Sequence, residues 1–414
     1  MRRTKIIAGV LLAALVASSA LAGGQSSARS VAMGGAHLGL ARGVEAGRYN
    51  PANLGLTGYN RSGLEIVGVG ANVANNSFTL SDYNRYSGAF LTDQDKADIL
   101  DKIPVEGLKL SADVEATALS TAIGAFAFNV TGVGLADVNM SRDIFELVFN
   151  GNTYADTIDV TGSYSDAVSY VSAGLSYGHS LYRSGSRELA VGATAKYLRG
   201  VAMERVTELE GMMATYATGF AGEGHMVART ATGGSGYALD LGASLRLNND
   251  YIAGVAIQNF ISRLSWNRET QEHGYNFSFD TMTVANMGDD YIVSDDYSVD
   301  IPSFSTNLPS TMTFGLANTT GKFVWAIDYL QGFRQAAGAS KNPRLAFGAE
   351  WTGLPVVPLR AGYATGGGKN SSFSFGSGLS FSVYYLDLAV VTGSSFSGYS
   401  SKGLNFAVST GLHF

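Results

Sequence analysis

The sequence has no cysteine, only 7 prolines and few charges: 15% of its 414 residues are Asp, Glu, Lys or Arg. Without cysteine there is no disulfide scaffold, no thiol nucleophile and no Cys-ligated zinc or iron–sulfur site. Proline stands at about 1.7% against ~5% in average proteins, whereas the 52 glycines make about 12.6% against ~7%. Disordered low-complexity chains raise both together, so the imbalance argues for an ordered chain. Long apolar runs are also missing. Past residue 22 none approaches the ~20 residues of a spanning helix, and the mean hydropathy of +0.09 is mild. A chain of this kind that enters a membrane crosses it as strands, because only helices and closed barrels satisfy every backbone group in lipid.

One apolar stretch stands at the start. Arg2, Arg3 and Lys5 precede the run Ile6 to Ser18, and Ala20-Leu21-Ala22 supplies a small-x-small cleavage pattern. The run is too short to span a bilayer, so residues 1–22 are expected to be a signal peptide and the mature chain to begin at Gly23. Removing them leaves 25 of the 28 basic residues against 34 acidic ones, a balance that gives no reason to expect nucleic acid as a partner.

The C-terminal half alternates with period two. Tyr237, Leu239, Leu241, Ala243, Leu245 and Leu247 share one face, opposite Ala238, Asp240, Gly242, Ser244 and Arg246. After the turn Asn248–Asp250, Tyr251, Ala253, Val255 and Ile257 begin a return strand, as in a tight hairpin. The pattern recurs at Phe323–Tyr329, Leu345–Trp351, Val357–Tyr363, Phe373–Phe381 and Leu386–Val390. It ends with Leu404, Phe406, Val408, Thr410, Leu412 and Phe414 on one face of the last strand. A soluble sandwich also alternates, but it has no need of Tyr251, Tyr329, Trp351, Tyr363 and Phe414 at strand ends, where the aromatic girdles of a membrane barrel belong. The terminal Phe414 resembles the sorting signal of bacterial outer-membrane barrels, which implies the barrel-assembly machinery and outer-membrane lipids as partners. Short turns fall at Asn248–Asp250, Asn318–Gly321, Thr352–Pro355 and around Val383. Long polar segments fall at about 74–108, 141–163, 201–232, 264–308 and 331–343. That asymmetry is the periplasmic and extracellular division of such barrels. The fold class expected is all-β: an antiparallel transmembrane β-barrel of about 14 strands in the outer membrane.

Two of the long segments carry helix signals. Thr92 with Asp95 reads as a capping box, followed by Ile99, Leu100 and Ile103 on one face before Pro104. A second helix is expected from Ser141 to Gly151, carrying Ile144, Phe145, Leu147 and Val148. Apolar side chains in surface loops need a partner, so these helices either plug the barrel mouth or form a groove for a hydrophobic ligand, with Ile99, Leu100, Ile103, Phe145 and Leu147 as its lining.

Residues 24–56 are rich in small residues and fit neither period, but they carry a motif. The run Ser30-Val31-Ala32-Met33-Gly34-Gly35-Ala36, followed by Asn50-Pro51-Ala52, resembles the N-terminus of the FadL-like and PorV-like outer-membrane barrels, and Leu359-Arg360-Ala361-Gly362-Tyr363 resembles a late strand of the same families. The resemblance implies an N-terminal hatch, folded inside a 14-stranded barrel, with Gly34, Gly35, Asn50, Pro51 and Ala52 as hatch residues. Physically, Pro51 fixes its own φ and pushes Asn50 out of the helical region, so a rigid turn leading into the first strand near Gly63 accounts for the motif equally well. The expected division is a signal peptide over 1–22, a hatch over 23–56 and the barrel over 57–414.

Catalytic and metal signatures are scarce. The five histidines, His37, His179, His225, His273 and His413, show no i,i+4 pairing. Gly366-Gly367-Gly368-Lys369-Asn370-Ser371 fails the spacing of a phosphate loop, and no G-x-S-x-G elbow occurs. Asp289, Asp290, Asp295, Asp296 and Asp300 lack EF-hand spacing and read as a solvated acidic loop. No catalytic residue, metal or cofactor is expected. The inward positions of the strands carry Asp240, Arg246, Asp328, Glu350 and Arg360, with Lys196 a further candidate. Mixed signs there favour internal ion pairing, hence a plugged lumen rather than an open, ion-selecting pore. The functional expectation that the resemblance adds is passive transport of hydrophobic small molecules, fatty-acid-like or aromatic. The alternative it leaves open is a PorV-type barrel that serves a secreted protein as an assembly partner.

Overall fold

Alternation of apolar and small or polar residues gives strands that are greasy on one side only, and a sheet of them is stable in lipid when it closes on itself. The computed structural model, which describes residues 26–151, 157–283, 292–393 and 400–414, shows that closure. The expected signal peptide lies outside the described residues. Fourteen antiparallel strands form the wall. They are β1 (Gly63–Asn75), β2 (Leu108–Ile123), β3 (Phe126–Met140), β4 (Tyr164–Ser184), β5 (Arg187–Tyr216), β6 (Gly219–Arg246) and β7 (Tyr251–Met282). The second half comprises β8 (Thr311–Asn318), β9 (Phe323–Gly332), β10 (Arg344–Trp351), β11 (Leu359–Gly366), β12 (Lys369–Ser380), β13 (Tyr384–Gly393) and β14 (Gly403–His413). Each pairs with its neighbour in sequence, and β1 closes on β14 from Gly63↔His413 to Ala74↔Gly403.

The burial pattern is that of a soluble protein turned inside out. Tyr237, Leu245, Phe314, Phe347, Trp351, Phe375, Leu388 and Phe406 are exposed on the outer face. Ala238, Asp240, Asp328, Glu350, Ser374, Asp387 and Asn405, on the other face, are buried. A continuous outward apolar belt of this size belongs in lipid.

The two ends differ. The short connections, among them Gly185 between β4 and β5 and Asn248–Asp250 between β6 and β7, lie at one end with the start of β1 and the end of β14. At the other end the loops are long or the strands overshoot. β5, β6 and β7 run 30, 28 and 32 residues, whereas ~9–11 suffice to cross a bilayer. This corrects the expectation of polar loops over 201–232 and 264–308: both regions are largely strand, and β7 extends to a short partner strand, Val293–Asp300. Beyond the bilayer both faces of the sheet meet water, so the period-two signal is lost. Glu208 and His225, for example, pair on the surface at 3.2 Å.

The two expected helices are present. Asp93–Lys102 is capped by Thr92, which exchanges hydrogen bonds with Asp95, and Arg142–Asn150 starts at Ser141 and stops at Gly151. Ile99 and Ile103 of the first pack with Phe145 and Phe149 of the second, together with Phe78, Tyr86 and Leu91. Leu100 is buried and Leu147 half-buried. These apolar loop residues are thus largely satisfied by one another at the rim.

Candidate functional site: a lumen closed from both ends

Residues 26–59 fold inside the barrel as short turns of helix: Ala28–Ala32, Gly43–Glu45, Ala46–Tyr49 and Pro51–Gly55. No turn is long enough to be stable alone, so the wall must hold them. It does so first by shape. A β-carbon at Gly192 would lie 2.5 Å from the amide nitrogen of Ala52, one at Gly178 would lie 2.5 Å from the Pro51 carbonyl oxygen, and one at Gly348 would lie 2.6 Å from the Met33 carbonyl oxygen. Glycine in the wall therefore lets the backbone of the plug lie directly against the backbone of the strands, which accounts for part of the glycine excess. Within the plug, the Asn50 side chain accepts from the Ala52 amide and donates to Ser244 Oγ at 2.8 Å, so the Asn-Pro-Ala turn is tied to β6. Gly34 and Gly35 both take positive φ, 69° and 90°, and Arg344 donates to the Gly34 carbonyl at 2.9 Å.

Charge is the second device. Arg29 of the plug makes a two-pronged contact to Glu350 at 2.9 Å, and Arg360 lies between Glu350 and Asp387, 2.6 Å from each. Arg48 pairs with Glu65 at 2.9 Å. Asp328 has a different partner: its Oδ2 accepts from the backbone amides of His37 and Leu38, at 2.7 and 2.8 Å. Asp240 meets Lys196 at 2.7 Å, and Arg246 meets Glu188 at 3.2 Å, with Glu188 also accepting from Thr57. Each of the inward charges Asp240, Arg246, Asp328, Glu350 and Arg360 has partners in the wall or the plug. Buried charges arranged this way hold position rather than conduct ions, since each unpaired member is costly in the low-dielectric lumen. Sequence reasoning did not single out Arg29, Arg48, Glu65, Glu188 or Asp387. Asp387 was legible, because Leu386 and Leu388 point outward. The plug arginines were not, since residues 24–56 have no period from which a direction can be read.

A second plug enters from the long-loop end. The segment between β9 and β10 turns inward, where Ala337 packs on Leu135 with Val133, Val168 and Tyr170 around it. Gln335 donates to Asp137 at 3.3 Å, and Arg334 donates to the Asn307 carbonyl. Between this loop and the hatch lies a cavity of about 90 Å³, bounded by Arg48 below and Gly338 above and lined by Lys196, Gln258, Asn259 and Pro309.

The wall is broken beside that cavity. The ladder between β7 and β8 ends at Gln258↔Thr311 and resumes only at Leu264↔Thr306, through the short strand Phe304–Thr306. Across the gap, side chains replace the backbone ladder. Asn259 Nδ2 donates to the Pro309 carbonyl at 3.1 Å, Ser310 Oγ to the Asn259 carbonyl at 2.6 Å, and Ser262 Oγ to the Leu308 carbonyl at 3.2 Å. Asn259 takes φ of 50°, and two extra residues of β7 are accommodated between Leu239↔Ile261 and Leu241↔Ile257. Such bulges redirect a strand and end pairing, and they recur at barrel rims and functional sites. Phe260 and Ile261 at the break face outward, half exposed.

The remaining candidates sit elsewhere. Asp295, Asp296 and Asp300 lie on Val293–Asp300, and Asp289 and Asp290 lie outside the described residues. Gly367 and Gly368 form the tight turn that joins Gly366, the end of β11, to β12, and all three take positive φ. His413 faces Tyr385 with ring centroids 5.6 Å apart.

The fold and its contents define a class: a closed 14-stranded barrel whose N-terminal segment fills the lumen, the FadL-type architecture. Known structures share it. The chain is similar to the toluene transporter TbuX of Ralstonia pickettii, with 13% identity, a TM-score of 0.53 and coverage of 94% of this chain and 98% of that one. The toluene transporter TodX of P. putida gives 14% identity, a TM-score of 0.50 and coverage of 95% and 99%. A FadL homologue of Pseudomonas aeruginosa gives 10%, 0.51, 95% and 99%. At such identities the likeness is one of fold. Residues 60–231 match a family of unknown function, DUF5723, and no curated protein matches the sequence.

Proposed function

We propose that the protein is a bacterial outer-membrane channel through which hydrophobic small molecules, fatty-acid-like or aromatic, pass by diffusion. The observation that carries this reading is the pairing of a lumen plugged at both ends with a wall that is open in its backbone ladder beside the inner cavity. A plugged lumen is of no use to a general porin, while a break bridged only by side chains is a place where the wall can part for cargo that prefers lipid to water. The toluene transporters that share the fold support the same class of cargo. At about 90 Å³ the cavity is smaller than the ~150 Å³ that accepts benzene in a protein core. Cargo therefore enters when the loop between β9 and β10 withdraws, passes above Arg48, and leaves into the outer leaflet when the side-chain bridge between Asn259 and Pro309 parts. No input of energy is built into this path.

Uptake of labelled toluene and of dodecanoate by cells with and without the gene tests the proposal. Slower uptake of at least one in the deletion strain, restored by the wild-type gene, is expected; unchanged uptake across a panel of fatty acids and aromatics would refute it. Among the described residues no feature favours the assembly role considered as the alternative, and a co-purifying secreted protein would be its signature.

A further inference from the structure

A larger cavity lies on the opposite side of the hatch, at the short-turn end. It measures about 480 Å³ and is enclosed by hatch residues 42–45, the start of β1 and the turn that joins β10 to β11. Its size is within the ~300–1,000 Å³ of small-molecule sites.

The walls differ in kind. One is apolar and is built from Leu354, Pro355, Val356 and Val357 of the turn, with Val44 and Leu412. Leu354 and Val356 are half exposed, and Val356 takes φ of 57°, a conformation that a β-branched residue adopts only under strain. The Val356 carbonyl accepts from the Ser380 amide at 2.8 Å, which ties the turn to the end of β12; a short polar turn would serve that bond equally, so the apolar side chains are not explained by closure of the sheet.

The other wall is charged. Arg29 and Arg360 are matched by Glu45, Glu350 and Asp387, which also line the cavity. Arg42 and Arg61 line it too, and among the described residues neither makes an ion pair. Arg42 is held in place: it stacks over the Tyr59 ring at 4.3 Å and donates from Nη2 to the Tyr59 hydroxyl at 3.1 Å and to the Thr319 carbonyl at 3.4 Å. A positioned guanidinium with no carboxylate partner, a second unpaired guanidinium and an apolar wall in the same cavity are the chemistry that recognises an anionic head on a hydrocarbon tail.

We propose that this cavity binds a single-chain amphiphilic carboxylate, its head on Arg42 and Arg61 and its tail along Leu354–Val357. The site selects anionic amphiphiles over neutral hydrocarbons, and it lies on the far side of the hatch from the path above, so it stands or falls independently of that path.

The test uses the full-length protein in nanodiscs and a 12-carbon fatty acid carrying a diazirine near its tail end. Photolysis, digestion and mass spectrometry locate the label. Labelling is expected on the peptide that contains 352–358, displaced by dodecanoate and at least tenfold less by dodecanol. Arg61→Gln, at an exposed residue, is expected to weaken labelling several-fold, and adding Arg42→Gln to weaken it at least tenfold, with partial rescue by the paired Lys variants. Heat-modifiable migration in gels verifies that each variant still forms a barrel. Absence of label from 352–358, equal displacement of that label by dodecanol, or labelling there indifferent to both arginines would overturn the proposal; label beside Asn259 and Pro309 reports on the separate path and leaves this site untouched.

Discussion

The close packing of hatch on wall can be broken at two points far apart. Gly192 of β5 and Gly348 of β10 lie beneath opposite ends of the hatch, against Ala52 and Met33. A valine at either position starts with its β-carbon 2.5–2.6 Å from hatch backbone, about 1 Å inside ordinary van der Waals contact. The strands cannot retreat without breaking ladders on both sides, Gly178↔Gly192↔Gly242 and Ala326↔Gly348↔Gly362; the hatch must move instead. Overpacking costs about 1–3 kcal/mol per site, and distant sites add, so Gly192→Val with Gly348→Val disfavours the docked hatch by about 2–6 kcal/mol. That is a shift of roughly thirtyfold to twenty-thousandfold in the equilibrium between docked and undocked hatch. The assay is hydrogen exchange of residues 26–59 together with single-channel conductance in planar bilayers. The double variant is expected to lose protection in the hatch and to show conductance bursts absent from the wild type, with the wall amides unchanged. A barrel that carries both valines with full hatch protection and no new conductance would refute the account of how the plug is held.

Three further outcomes follow from single features. Asp328→Ala leaves the His37 and Leu38 amides without their acceptor, at about 1–3 kcal/mol, and exchange is expected to rise at residues 36–40 first; equal protection there would show that the carboxylate is not a latch. The cap of the helix Asp93–Lys102 should be acid-labile. Hydrogen bonds from the Thr92 side chain and backbone hold the Asp95 carboxyl below its ordinary range. Its contribution is therefore complete above the unfolded value of about 3.9 and is lost as pH falls through the lower folded value. Amides of 93–96 should exchange faster, relative to intrinsic rates, below about pH 3.5 than at pH 6, and no difference would refute the linkage. Removal of Phe414, whose amide donates to the Ser62 carbonyl at 3.0 Å beside the closing seam, is expected to lower the yield of barrel inserted in the outer membrane; an undiminished yield would remove its role as a sorting signal.

What could be read in the sequence followed from the solvent on each side of the sheet. Where one face meets lipid and the other the plug, as in 237–247, 345–351, 357–363 and 404–414, alternation marks both the strands and the inward direction of Asp240, Glu350 and Arg360. Where both faces meet water, as in the stretch of β5 beyond about Arg205 and the β6 residues paired with it, the same extended backbone carries the polar composition of a loop. The rim helices were legible because Thr92, Asp95 and Ser141 act locally, through caps. The wall break was not. Asn259 and Pro309 are fifty residues apart, and nothing in either neighbourhood signals that the ladder between them is missing. The hatch was accessible only through its resemblance to known barrels, because its residues are placed by glycines of the wall and not by any pattern of their own.

The claim that cargo is a hydrophobic small molecule is tested most directly by native mass spectrometry of the protein extracted in mild detergent, followed by analysis of what denaturation releases. The account predicts a bound lipophile, released on unfolding and reduced when Asn259→Trp fills the inner cavity. A bound polypeptide in its place, with no lipophile, would contradict it.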